Sequence, residues 1–206
     1  MTRLLSVLIG AFLLAASSIN FAQESATSEI LRMPDGTPDL RGIWQTVNTA
    51  VWNIQDHTGE LEIPAGQGVV EGNTLPYLPP ALEQRQKNYE NRLTEDPEAN
   101  CLMVGVPRIT YMPYPFQIAQ NDSQLIMLYE YVHTVRSIYL DREHPAGAIQ
   151  WWMGDSRAVW DNDTLVVDVT KFNDKTWFDR SGNFHSEELH VVERYTPINA
   201  NALMYE

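Results

Sequence analysis

The chain has 206 residues, with 14 basic and 27 acidic side chains and a formal net charge of −13. A field of that sign repels nucleic acid and anionic membrane surfaces, so we expect neither as a partner. Cys101 is the single cysteine, which excludes an internal disulfide and requires a fold that is stabilised by its packed core.

The N-terminus has the order of segments that is typical of a secretory signal peptide. Arg3 supplies the positive region, residues 4–16 are apolar and uncharged, and small residues follow before Ala22. The apolar stretch is shorter than the roughly 20 residues of a membrane-spanning helix. We therefore predict a signal peptide over 1–22, a periplasmic or secreted location and no membrane span after cleavage, with an uncleaved anchor as the alternative.

Residues 23–38 are polar and end in a Pro-Asp-Gly-Thr-Pro run, which indicates a flexible tail leading into a single β domain over 39–206. A first strand is predicted over 40–47. The Gly-, Pro- and Asn-rich segment 56–76 indicates loops with short strands at 61–63 and 68–70. One short surface helix is predicted near 80–94, where two prolines precede a narrow apolar face.

From residue 113 onward the pattern is that of β-strands. Apolar and β-branched runs predict strands at 116–120, 125–129, 135–140, 158–160, 164–169, 189–195 and 202–206. Asx-rich or proline-containing segments predict turns at 121–123, 161–163 and 197–199. A single strand over 124–140 would exceed about 50 Å, so we predict a break at 131–134 that places His133 in a turn.

The predicted fold class is mainly β, an antiparallel β-barrel or sandwich of eight to ten strands, with a lipocalin-like barrel as the preferred form. Strands and helices do not alternate, which argues against a parallel α/β fold. A barrel of about eight strands has room for one small ligand.

Two polar segments interrupt this β pattern. In 129–141, Glu130 and Arg136 would form an ion pair if the bend brings the strands together, and His133 could act as acid or base. In 172–190, Asp179 and His185 offer acid–base groups. The alternatives are a structural ion pair, a turn histidine and a solvated loop.

These segments supply our candidate site residues. The catalytic candidates are His133, His185, Asp179 and Glu130. The ligand-binding candidates are Arg136, Tyr131, Lys175, Trp177, Trp152 and Tyr139.

Other chemistries find little support in the sequence. A zinc or iron site from His133, His185 and His190 lacks a familiar ligand spacing, so we predict no metal. Nucleophile-elbow, dinucleotide and phosphate-loop motifs are absent from the sequence, and we predict no cofactor.

As a set, several motifs resemble a family of uncharacterised exported bacterial proteins over residues 38–206. They are GVPR at 105–108, PYPF at 113–116, YEYxHTxRxIYLD at 129–141, WMGxS at 152–156, WxxDTLVVD at 160–168, FNDKTW at 172–177 and HSE at 185–187. The resemblance implies no activity and no catalytic residues. It implies further strand sequence after Glu206, which leaves open a C-terminal truncation and an unclosed barrel.

The sequence therefore predicts an exported β domain that binds a small, largely apolar molecule, with its oligomeric state undetermined. One alternative is an enzyme, a lyase, isomerase or hydrolase, that uses His and carboxylate acid–base chemistry. Another is an interaction module of the cell envelope.

Overall fold

The computed structural model describes residues 29–206, so the predicted signal peptide at 1–22 lies outside the described residues. Part of the predicted tail packs on the domain. Arg32 forms a bridge with Pro38 and pairs with both carboxylate oxygens of Asp163 at 2.8 Å. The chain is therefore held against a strand-connecting turn before the first strand begins.

Eight strands form one sheet that curls into a half-barrel, and they follow one another in chain order. They are β1 (Gly42–Trp44), β2 (Phe116–Asn121), β3 (Gln124–Tyr129), β4 (Val135–Leu140), β5 (Asp155–Asp161), β6 (Thr164–Thr170), β7 (Val191–Asn199) and β8 (Ala202–Tyr205). The predicted mainly β fold is confirmed. Strands β1 and β8 lie at the two edges of the sheet.

All neighbouring strands run antiparallel except β4 and β5, which are parallel, with Ile138 opposite Ser156 and Leu140 opposite Ala158. The expectation of a wholly antiparallel sheet is wrong for this pair. A parallel pair requires the chain to return to the end from which it started. Residues 141–154 make this crossing without a helix, so no helical pattern marked it in the sequence.

Helices are few in the described part of the chain. They are α1 (Pro79–Glu90), α2 (Arg92–Glu95) and α3 (Arg108–Tyr111), with 3-10 turns at Glu71–Asn73, Pro97–Asn100 and Tyr131–His133. The helix predicted near 80–94 is confirmed as α1 and α2, which are interrupted at Asn91. None of the helices within 29–206 is long and apolar enough to cross a membrane.

The predicted break between β3 and β4 is confirmed, because His133 lies in the 3-10 turn that joins them. Two local predictions are wrong. Segments 61–63 and 68–70 are not strands, although Ile63 makes an isolated bridge with Glu60. Residues 197–199 belong to β7, which continues through Pro197 with a register irregularity before the turn to β8.

Strict alternation gives the sheet one buried face, which lines the inside of the curl. In β6, Leu165, Val167 and Val169 are fully buried while the residues between them are half-exposed. Each fully buried side chain of this size contributes about 1.5–3 kcal/mol to folding. The buried helix α3 belongs to the same core through Ile109. The inner face of the sheet, with α3 packed on it, is therefore the main core of the domain.

Candidate functional site

Five polar side chains interrupt the apolar inner face, and we call them the inner polar cluster: Arg136, Ser156, Glu193, Tyr195 and Tyr205. Arg136 Nε and Nη2 each donate to Ser156 Oγ at 3.0 Å. Arg136 Nη1 donates to Glu193 Oε1 at 3.1 Å, and Nη2 donates to Oε2. The Tyr195 and Tyr205 hydroxyls donate to the same Oε1 at 3.0 and 2.9 Å. Both oxygens of Glu193 are therefore supplied with donors.

The inner polar cluster is buried and its charges balance. Arg136 is 2% exposed and Glu193 is 1% exposed. Burial by itself would lower the pKa of Arg136, but the Glu193 carboxylate raises that pKa well above its ordinary value. Burial, reinforced by Glu193, also raises the pKa values of Tyr195 and Tyr205 well above the usual tyrosine value. The two tyrosines consequently stay protonated and neutral.

A cavity of about 680 Å³, which we call the edge cavity, opens beside this cluster. Its wall includes five aromatic side chains, namely Trp44, Tyr111, Phe116, Tyr195 and Tyr205. Its volume is within the range of about 300–1,000 Å³ that is typical of small-molecule sites. The charged side chains that line it in the described structure are the carboxylates Glu193 and Glu206. The edge cavity is thus aromatic, with a polar floor and no basic lining residue from within 29–206.

Strands and one helix position the residues of this wall. Edge strand β1 presents Trp44, whose Nε1 donates to the Leu40 carbonyl at 2.9 Å. Helix α3 presents Thr110 and Tyr111, and the Tyr111 hydroxyl donates to the Phe178 carbonyl. The other side of the cavity comes from β7 and β8. The edge cavity therefore lies between the two edges of the curled sheet.

The structure places Arg136 beside Glu193 rather than Glu130. The predicted Glu130–Arg136 ion pair is wrong, because Glu130 follows β3 as an exposed residue while Arg136 faces inward from β4. Sequence reasoning missed Glu193. The available signal was alternation, since Glu193 and Tyr195 are two apart in a strand and must share a face.

The remaining candidates in 129–141 lie away from the edge cavity. His133 is exposed in its turn. The Tyr131 hydroxyl donates to the Leu102 carbonyl at 3.1 Å, and its ring stacks on Tyr114. Tyr139 lies on the outer face of β4, where the Arg157 guanidinium sits 4.7 Å from its ring centre. Tyr131 and Tyr139 are thus engaged in contacts with other parts of the protein, away from the edge cavity.

His185 is buried among groups of its own loop. Its Nε2 is 2.7 Å from Thr176 Oγ1, and its Nδ1 is 2.8 Å from the Ser186 carbonyl oxygen. Burial lowers the pKa of His185 below its ordinary value, which favours a neutral ring that donates from Nδ1 and accepts at Nε2. A hydroxyl next to an oriented imidazole is the arrangement of an activated nucleophile. Thr176 is only 1% exposed, however, so no substrate reaches it in this structure.

Asp179 organises the same loop. Its oxygens accept from the backbone amides of Ile54, Ser181 and Asn183 and from the Asn183 side chain. The side chain is fully buried, and burial raises its pKa. Its contacts tie the loop to the segment around Ile54, which is a structural role.

The other three candidates do not line the edge cavity. Lys175 is exposed, and Trp152 and Trp177 are half-buried. Of the four catalytic candidates, Glu130 and His133 are exposed, whereas Asp179 and His185 are buried and hydrogen-bonded within the protein. None of these four groups lines the edge cavity.

A second cavity, of about 480 Å³, is lined in part by Trp52 and Arg180. The Arg180 guanidinium lies 4.0 Å from the centre of the Trp52 ring and pairs with Glu98. Glu98 also accepts from the fully buried Arg108, which pairs with Asp96 at 2.7 Å. These four charges cancel, and the network joins α3 to the 172–190 loop.

A chain of imidazoles and carboxylates lies on the outer face of β5 and β6. His144 Nδ1 is 2.6 Å from Asp155, and its Nε2 is 2.8 Å from Asp168, whose other oxygen is 2.6 Å from His190. These contacts hold the 141–154 crossing against the sheet. Within residues 29–206, no group of three or more His, Cys, Asp or Glu side chains is arranged to hold a metal ion.

Comparison of the chain with family models, curated proteins and solved structures found no match. The resemblance to exported bacterial proteins therefore stays a prediction. Function has to be argued from the geometry of the edge cavity and the inner polar cluster.

Proposed function

We propose that the chain is an exported, lipocalin-like binding protein that holds a small, largely apolar molecule in the edge cavity. The observation that carries the proposal is the cavity itself, with its volume of about 680 Å³ and its five aromatic wall residues. Aromatic walls with a few placed polar groups are typical of small-molecule sites. The signal-peptide pattern before Ala22 supports export.

The inner polar cluster supports binding rather than acid–base catalysis. Arg136 and Glu193 neutralise each other, and the tyrosine hydroxyls around them stay protonated. The two tyrosines are therefore not poised to exchange a proton near neutral pH. His133 and His185, on which an enzyme would be built, line neither of the two cavities described above.

Fluorescence titration with the neutral apolar probe N-phenyl-1-naphthylamine tests the proposal. Trp44 lies in the cavity wall, so we expect saturable binding with one probe per chain and energy transfer from tryptophan to probe. Val69 lines the rim and is 58% exposed. Val69→Trp should narrow the entrance and weaken probe binding about tenfold, which corresponds to about 1.4 kcal/mol.

The matched control is Val159→Trp. Val159 is 51% exposed on the outer face of β5, away from the cavity, so the same added ring should leave probe affinity unchanged. The proposal fails if the wild-type protein shows no saturable probe binding. It also fails if the two tryptophan variants lose affinity equally, because the probe would then bind elsewhere.

A further inference from the structure

The hydrogen-bonding state of the edge cavity narrows its ligand class, an inference that rests on the proposed function. We infer that the cavity selects an uncharged apolar molecule that carries a hydroxyl group, and that it discriminates against an apolar carboxylate of the same length. The inference depends on which donors, acceptors and charges the cavity wall has left unpaired.

The tyrosines of the inner polar cluster offer acceptors. Tyr195 and Tyr205 each use their single hydroxyl proton on Glu193 Oε1. Their oxygens keep lone pairs, and both residues line the edge cavity. A hydroxyl that donates to a charged group becomes a stronger acceptor, because hydrogen bonds in a chain polarise one another. A ligand hydroxyl can therefore donate to Tyr205, the half-buried member of the pair.

Other donors deep in the wall are already used within the protein. Trp44 Nε1 donates to the Leu40 carbonyl, and the Tyr111 hydroxyl donates to the Phe178 carbonyl. The Thr46 hydroxyl donates to the Thr110 carbonyl. The side-chain amides among the lining residues belong to the exposed residues Gln45, Asn48 and Asn201. Donors at such positions are hydrated and contribute little to a buried ligand.

The charge of the cavity lining also favours a neutral ligand over a carboxylate. Glu193 and Glu206 are the charged lining residues within the described chain, and the whole protein has a net charge of −13. Arg136 does not line the cavity, and its bonds to Glu193 and Ser156 use its Nε, Nη1 and Nη2 groups. A carboxylate in this site would lose its hydration without gaining a cation, which costs several kcal/mol. A neutral alcohol avoids that cost.

Displacement of N-phenyl-1-naphthylamine by three ligands of equal chain length tests the inference. The ligands are decan-1-ol, sodium decanoate and 1-methoxydecane, each below its aggregation limit at pH 8. We expect decan-1-ol to displace the probe at concentrations at least tenfold lower than decanoate. It should also act at severalfold lower concentrations than the ether, which lacks a donor.

Tyr205→Phe isolates the acceptor. It should reduce the difference between alcohol and ether to less than twofold, with each displacement measured against the variant's own affinity for the probe. The control is Tyr89→Phe, which removes a hydroxyl that also donates to a carboxylate, that of Glu60, but on α1 and outside the cavity lining. This control should keep the full difference. An unchanged alcohol preference in a folded Tyr205→Phe protein would contradict the assignment of the acceptor.

The wild-type measurements separate the two proposals without any variant. Absence of saturable probe binding defeats the proposed function. If the probe binds saturably but decanoate displaces it at the same concentration as decan-1-ol, the proposed function is supported and the proposed selectivity is wrong. A preference for decan-1-ol over both other ligands supports both.

Discussion

At the scale of single residues, the ion pair between Arg136 and Glu193 is the most consequential contact of the inner face. Both partners are at most 2% exposed, and two tyrosine hydroxyls and Ser156 complete their hydrogen bonds. Removing one member of a buried pair leaves the other charge without solvent or partner. The pair should therefore be far more sensitive to single substitution than an exposed pair.

Glu193→Gln tests this expectation. It keeps the size of the side chain but leaves the Arg136 charge unpaired in the core. We expect the free energy of unfolding to fall by about 3–5 kcal/mol, as measured by urea titration at pH 7. The matched control is Asp161→Asn, which breaks the Asp161–Arg194 pair, whose side chains are 57% and 43% exposed. That change should cost at most about 1 kcal/mol, and equal costs would show that burial does not set the strength of the first pair.

His185 gives the domain a pH dependence of known sign. Burial lowers its pKa below the ordinary value of 6.5. Below that pH the unfolded chain binds a proton that the folded chain does not, so the free energy of unfolding falls as pH falls. The loss begins near pH 6.5 and continues to the lowered pKa of the folded state. Mild acid should therefore destabilise the protein before ordinary carboxylates titrate.

His185→Gln removes this titration while keeping a polar side chain of similar length. We expect the free energy of unfolding of the variant to vary less between pH 7.5 and about pH 5.5 than that of the wild type, by urea titration at each pH. His133→Gln is the control, because His133 is exposed and should leave the pH profile unchanged. A wild-type slope retained in His185→Gln would assign the dependence to another group.

At the scale of elements, the local sequence pattern was sufficient to predict the pairing of strands that are close together in the chain. The β5–β6 hairpin followed from two β-rich arms around 161–163, where Asn162 adopts the left-handed conformation at φ 54°. The parallel pairing of β4 with β5 could not be inferred in this way, because 14 residues separate the strands and carry no helical pattern.

The candidate site shows the same limit. An inward Glu193 could be read from alternation along β7, but its partner Arg136 lies 57 positions earlier in the chain. Which of several carboxylates meets a given guanidinium depends on the curl of the whole sheet. The predicted Glu130–Arg136 pair failed for this reason, and the edge cavity between β1 and β8 was not predicted.

The end of the β4–β5 crossing depends on Gly154, which immediately precedes β5. Its φ of +64° favours glycine, and an added Cβ would lie 2.8 Å from Val169 Cγ1 and 2.9 Å from the Thr170 carbonyl oxygen. Gly154→Ala should therefore combine backbone strain with overpacking. Gly72→Ala is a close control, because Gly72 has a φ of +68° with nothing within 4 Å of the added atom.

The difference in stability between Gly154→Ala and Gly72→Ala isolates the cost of close packing at Gly154. Both alanines pay about 1–2 kcal/mol of left-handed strain, and Gly154→Ala should lose about 1–3 kcal/mol more. Urea titration of both variants measures the difference. If both variants lose the same free energy of unfolding, the 141–154 crossing moves to accommodate the added methyl group. The contacts of the crossing with β6 would then not determine its path.

At the scale of the whole molecule, the protein has a large excess of negative charge for its size. There are 27 acidic and 14 basic residues, and the sequence pI is about 4.7. Like charges repel more strongly in the compact state than in the unfolded chain. The buried pairs Arg136–Glu193 and Arg108–Asp96 are shielded from salt, whereas the exposed pairs contribute little.

Added salt should therefore stabilise the folded protein at pH 7.5. Between about 20 and 200 mM NaCl the screening length falls below the spacing of most surface charges, and we expect a gain on the order of 1 kcal/mol in the free energy of unfolding. The control is the same salt series near pH 4.7, where positive and negative charges balance and the gain should vanish or reverse. A free energy of unfolding that does not change with NaCl concentration at pH 7.5 would contradict this expectation. It would mean that local ion pairs offset the repulsion between the acidic residues.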